Sequence, residues 1–116
     1  MNYVDRMKNI AKEIYNLKEQ QIILKEQEQD IKYKQNIIKS KIILDVYNDK
    51  EIKNERHRDA KISILLDTNK EWLKSQTELK EIVKKLNLVI TKINLKYDLY
   101  NTYKYALKGG EINEWI

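Results

Sequence analysis

The sequence contains no proline and no cysteine, and its only two glycines stand together at Gly109 and Gly110. Proline and glycine are the residues that most disfavour a helix interior. A chain of 116 residues with almost none of them reads as all-α, and the length suits one small domain, residues 1–116. The lack of cysteine excludes a disulfide framework and thiolate metal sites, and fits a reducing compartment. No apolar run reaches transmembrane length, and Met1-Asn2-Tyr3-Val4-Asp5 carries no signal-peptide pattern. The expected location is therefore the cytoplasm, with no membrane partner. Acidic and basic side chains are both abundant, and the net charge is only +5. Residues 1–58 hold 13 basic against 10 acidic side chains, and residues 59–116 hold 10 against 8. Neither half is strongly basic, so overall charge alone argues weakly for nucleic acid.

What is present is a long heptad pattern. From Trp72 to Leu107 every seventh residue is apolar: Trp72, Leu79, Leu86, Ile93, Tyr100 and Leu107. A second row, Gln76, Val83, Ile90, Tyr97 and Lys104, interleaves with it at steps of four and three. These are the d and a positions of a helical seam. Ile82, Val89 and Tyr103 add a third row at g, so the apolar face is wider than a two-stranded coiled coil needs. Thr68 followed by Glu71 forms a capping-box pattern just before Trp72, which predicts a last helix over 69–108. Gly109 then takes the left-handed position past the helix end, leaving a tail over 109–116.

The first helix is expected over 2–47, with Asn2 as N-cap, and would be roughly 65–70 Å long. Its d row is Tyr3, Ile10, Leu17, Leu24, Ile31 and Ile38; its a row is Met7, Ile14, Gln21, Glu28, Gln35 and Ile42. Three polar residues in succession at a are costly in a dry seam. Ile23, Ile37 and Leu44 at c instead predict a buried face that spreads from d towards c, with Gln21, Glu28 and Gln35 at a wet edge. Asn48-Asp49-Lys50 reads as a turn. A short helix over 51–67 follows, its start open between the caps Asp49 and Asn54. A short connection favours antiparallel neighbours, so the expected architecture is a long helical hairpin with a short helix at the bend. One hairpin leaves the a, d and g rows of the last helix incompletely covered, which predicts a homodimer, most simply a four-helix bundle.

Three places could carry function. Lysine occupies the central e positions of the first helix at Lys18, Lys25, Lys32 and Lys39. Glu28 can pair with Lys32, whereas Lys18, Lys25 and Lys39 have no acid four residues before them. They form either a stripe for phosphates or an acidic partner, or a solvated face whose stems cover the seam. The second place is residues 82–108, with Lys84, Lys85, Lys92, Lys96, Lys104 and Lys108 against the single acid Asp98, and with tyrosines at 97, 100, 103 and 105. Lysines that neutralise phosphates and rings that stack on bases could together bind a single strand. The plainer reading puts Tyr97, Tyr100 and Tyr103 in the core and leaves only Tyr105 off the seam. Lys85, Lys92, Lys96, Lys108 and Tyr105 are the candidates here, with Lys104 partly buried at a. The third place is the charged run Lys53 to Ala60, which holds the only histidine, His57. No second histidine, cysteine or spaced carboxylate pair accompanies it, so no catalytic, metal or cofactor site is expected. Asn54, Glu55 and Arg58 are read as a capped bend, with Asn54 or Glu55 pairing Arg58.

The order long helix, Lys53-Asn54-Glu55-x-x-Arg58-x-Ala60, long helix ending in aromatic and basic residues resembles small helical proteins of phages and prophages of Gram-positive bacteria. The likeness runs from about Lys50 to Lys108. It departs from that pattern at Lys96 and Lys104, where the family tends to carry arginine, so the bidentate phosphate recognition that arginine offers is missing. The resemblance implies a setting of phage replication or recombination in the host-cell cytoplasm. The expected function is a non-enzymatic accessory protein that binds DNA or a DNA-processing protein. The alternative is a protein-directed inhibitor or adaptor, of a host nuclease or defence system, without nucleic-acid affinity.

Overall fold

The computed structural model describes residues 2–115, with side chains up to residue 109. It is all-helical: α1 spans Tyr3–Asn48, α2 spans Glu55–Thr68 and α3 spans Lys70–Trp115, with no strand among the described residues. No helix there is long and apolar enough to cross a membrane.

The caps explain the boundaries. Asn2 accepts a hydrogen bond from the Asp5 N–H at 2.8 Å and so starts α1. After Asn48 the Asp49 carboxylate accepts from the Glu51 N–H at 3.0 Å, and the Asp49 carbonyl accepts from the Ile52 N–H at 3.2 Å. Asp49 is thereby used in the turn. The cap of α2 falls to Asn54, whose extended backbone (φ −125°, ψ 156°) lets its side chain accept from the His57 N–H at 2.8 Å. Of the two caps that the sequence leaves open, the structure uses Asn54 and not Asp49, so the short helix begins at Glu55 rather than at residue 51.

The next boundary also moves. Thr68 is the last residue of α2, and its hydroxyl donates back to the Ile64 and Leu65 carbonyls. The only residue between the two helices is Asn69, at φ −79° and ψ 116°. Its N–H donates to the Leu66 carbonyl, its side chain accepts from the Trp72 N–H at 2.8 Å, and its carbonyl accepts from the Leu73 N–H. Asn69 closes α2 and opens α3, which displaces the Thr68 capping box. At the other end α3 runs through Gly109 to Trp115, and no described glycine has positive φ. Glycine permits a left-handed stop but does not impose one. The tail expected over 109–116 is therefore helical through Trp115.

Contacts gather into two compact units, each drawing on both long helices: unit 1 is Met1–Lys25 with Lys84–Ile116, and unit 2 is Glu26–Val83. Within unit 1 the start of α1 runs antiparallel to the end of α3, as the pairs Arg6–Tyr103 and Glu13–Lys96 show. Its core is Ile10, Ile14, Leu86, Val89 and Ile93. Within unit 2, Ile31, Gln35, Ile42 and Val46 of α1 are buried, as is Ser75 of α3.

The buried faces differ from the expected ones in both long helices. In α1 the a and d rows are turned inward, Gln35 is buried, and Gln21 and Glu28 are half-buried. The c residues Ile23, Ile37 and Leu44 are exposed. Isoleucines at a and d before and after the polar stretch set one register, and a continuous helix carries the polar residues along with it. In α3 the inward rows are d and g: Ser75, Leu86, Val89 and Ile93 are buried, and Trp72, Leu79, Ile82, Lys96, Tyr100, Tyr103 and Leu107 half-buried. The a row faces out, with Val83 39% exposed, Ile90 37% and Tyr97 40%, and Lys104 exposed rather than partly buried. One neighbouring helix covers two adjacent rows, not three.

Candidate functional site

The charge is unevenly placed. Unit 1 holds 11 basic and 6 acidic side chains, and unit 2 holds 12 of each, so the whole +5 excess lies in unit 1. Helix boundaries hide this asymmetry, because each unit combines the two ends of the chain or its middle.

Unit 1 contains most of the candidate binding residues. Lys18 is not free for a ligand without rearrangement: its Nζ stands 5.2 Å from the centroid of the Tyr97 ring, a cation–π contact. Lys96 is further from the expected role. It is half-buried, and its Nζ lies 2.6 Å from Glu13 Oε2 in an ion pair across α1 and α3. Lys25, Lys85, Lys92 and Lys108 are exposed, and Tyr105 is 70% exposed. Lys85 and Lys92 are two turns apart on one face of α3. Lys39 is exposed but belongs to unit 2.

Three contacts in unit 1 carry no signature in the sequence. The Arg6 guanidinium donates to the Tyr103 hydroxyl at 3.1 Å and lies over its ring at 5.6 Å, and the Tyr3 ring packs on the same tyrosine at 5.5 Å. Residues 97 positions apart give no local signal of such contact. The Tyr15–Glu19 pair, by contrast, has the readable i, i+4 spacing. A hydrogen bond from the Tyr15 hydroxyl to Glu19, the charge of that carboxylate and slight desolvation together raise the phenol above its ordinary ionisation range.

In unit 2 the expected bend residues act differently. Asn54 is the cap, but Arg58 pairs with neither its side chain nor Glu55. The Arg58 guanidinium stacks on the Tyr47 ring at 4.7 Å, and its Nε is buried without a hydrogen-bond partner. The aromatic face competes successfully because Arg58 is half-buried and planar stacking suits guanidinium. Lys32 lies 3.6 Å from Glu28, a helical pair of an exposed lysine and a half-buried glutamate, of small energetic weight. A cleft of about 530 Å³ between α1 and α3 is lined by Lys34, Ile38, Lys41, Asp45, Lys74 and Glu78, among others. Charges of both signs alternate around it, which favours no ligand class. Among the described residues no group of three or more histidines, aspartates and glutamates is placed to hold a metal ion.

Comparison of the chain with protein-family models, curated proteins and solved structures returns no match.

Proposed function

We propose that this protein works by binding rather than catalysis, as an accessory factor that contacts DNA through unit 1 in a phage or prophage replication or recombination setting. The observation that carries the DNA contact is the confinement of the entire +5 excess to unit 1, with Lys25, Lys85, Lys92 and Lys108 exposed there. Lysines that neutralise phosphates release counterions, which favours a polyanion over a neutral partner. Lysine supplies charge without the bidentate geometry of arginine, so the contact is positional and sequence-independent. The phage setting rests on the resemblance around Lys53 to Ala60. Alongside it we propose a hairpin of α1 and α3 turning through α2, paired with a second copy as a helical bundle in the cytoplasm. The half-exposed Ile90 and Tyr97 of unit 1 support pairing, because one neighbouring helix leaves the a row uncovered.

Fluorescence anisotropy with labelled single- and double-stranded oligonucleotides across a salt series tests the DNA contact. Binding should weaken linearly in log salt, and Lys85→Glu with Lys92→Glu should flatten the slope by about two units. No binding of either oligonucleotide at low salt would overturn direct contact.

A further inference from the structure

Leu88, Leu95 and Leu99 lie on the outer face of α3 within unit 1 and are 58%, 62% and 40% exposed. Their spacing of seven and four residues places them on one line along the helix. The line continues through Thr102, whose hydroxyl donates to the Asp98 carbonyl at 2.9 Å and so leaves no free donor, to Ala106. From Leu88 to Ala106 the band is about 27 Å long. Lys85 and Lys92 lie on the same face, exposed, and the only ion pairs shown for the described residues involve other lysines.

We infer that this leucine band is the docking surface for an acidic amphipathic helix of a partner protein. Aliphatic side chains have no ring to stack on bases, so the leucines serve no nucleic-acid contact. At this band a second copy is disfavoured by local charge: an isologous contact there repeats the same patch, bringing Lys85 and Lys92 up to their own equivalents. A helix with leucine-like residues on one face and carboxylates at its rim satisfies both features, its apolar stripe covering Leu88, Leu95 and Leu99 and its acids meeting Lys85 and Lys92. This inference shares Lys85 and Lys92 with the DNA contact but is distinguished from it by the leucines, which only the helix would need.

The probe is a fluorescein-labelled synthetic helix of about 18 residues, matching five turns, with leucine on one face and glutamate elsewhere. Controls are a leucine-free polyglutamate of the same length and a labelled oligothymidine. The full-length protein should bind the leucine–glutamate helix at least about tenfold more tightly than polyglutamate. Leu88→Ser with Leu95→Ser should remove that preference while leaving the circular dichroism spectrum and oligothymidine binding unchanged, since both leucines are exposed and no lysine is lost. Equal binding of the two peptides, no binding of the leucine–glutamate helix, or full retention of its binding by the double variant would each overturn the inference. So would a fall in the mass of the unliganded double variant relative to the unsubstituted protein, which would assign the band to a second copy.

Discussion

Asn69 is a single residue that ends one helix and begins the next. Its side chain accepts the Trp72 N–H, and its own N–H reaches the Leu66 carbonyl. Asn69→Ala should cost roughly 0.5–2 kcal/mol through loss of the cap. Thr68→Ala removes only hydroxyl donation into α2 and should stay within about 0.5 kcal/mol. Urea denaturation midpoints check both, and an equal cost for the two would contradict the assignment of the cap. Tyr15 gives a residue-level pH prediction. Its folded-state ionisation lies above the ordinary value of 10.0, first because it donates a hydrogen bond to Glu19 and then because of that carboxylate's charge. The native state therefore holds the phenolic proton more tightly than the unfolded chain. The associated stabilisation is fully present below the unfolded value and disappears as pH rises through the raised folded one. In a carbon-13 tyrosine titration, Glu19→Gln should bring the Tyr15 midpoint down towards 10.0. An unmoved midpoint would show that Glu19 is not the cause.

At the level of the helix, α1 and α3 each use two heptad rows inside a unit, but they use them differently. In α1 the inward a row carries Gln35 buried at 9% exposure. A leucine there would bury more apolar surface without an amide to satisfy. Gln35→Leu should raise stability, on the order of 1 kcal/mol, read as a higher melting temperature. A lower melting temperature would mean that the amide makes a contact worth more than its desolvation. In α3 the outward turn of the a row changes what charge substitutions do. Lys104 is exposed, as Lys85 and Lys92 are. Lys104→Glu should therefore perturb folding no more than the others, within about 0.5 kcal/mol. Lys96→Ala should cost more than any of these three, because it strips Glu13 of its half-buried partner. Parallel denaturation of the four variants orders them directly.

For the whole molecule, charge and apolar exposure point to partners. Unit 2 is electrically balanced and unit 1 is not. Unit 1 also leaves Ile22, Ile23, Leu88, Ile90, Leu95 and Tyr97 substantially exposed. A small protein with this much uncovered apolar surface is expected to associate. Light scattering should give about twice the 14.0 kDa chain mass for the proposed dimer, and a monomer at micromolar concentration would refute it.

The sequence by itself determined the helical class, because a chain without proline or internal glycine offers little that stops a helix. It also showed the heptad rows and a helix start close to Trp72, since caps and periodicity are local properties. It read Gly109 as a stop, whereas the backbone there is free to continue. Only the tertiary structure decided which adjacent rows turn inward: a with d in α1, d with g in α3. It also decided that Lys96 is tied to Glu13, that Lys18 lies over Tyr97 and that Arg58 stacks on Tyr47. The physical reason is that periodicity describes a helix relative to its own axis. The angle at which a neighbour approaches comes from contacts between residues far apart in the chain, and that angle separates a core position from a surface one.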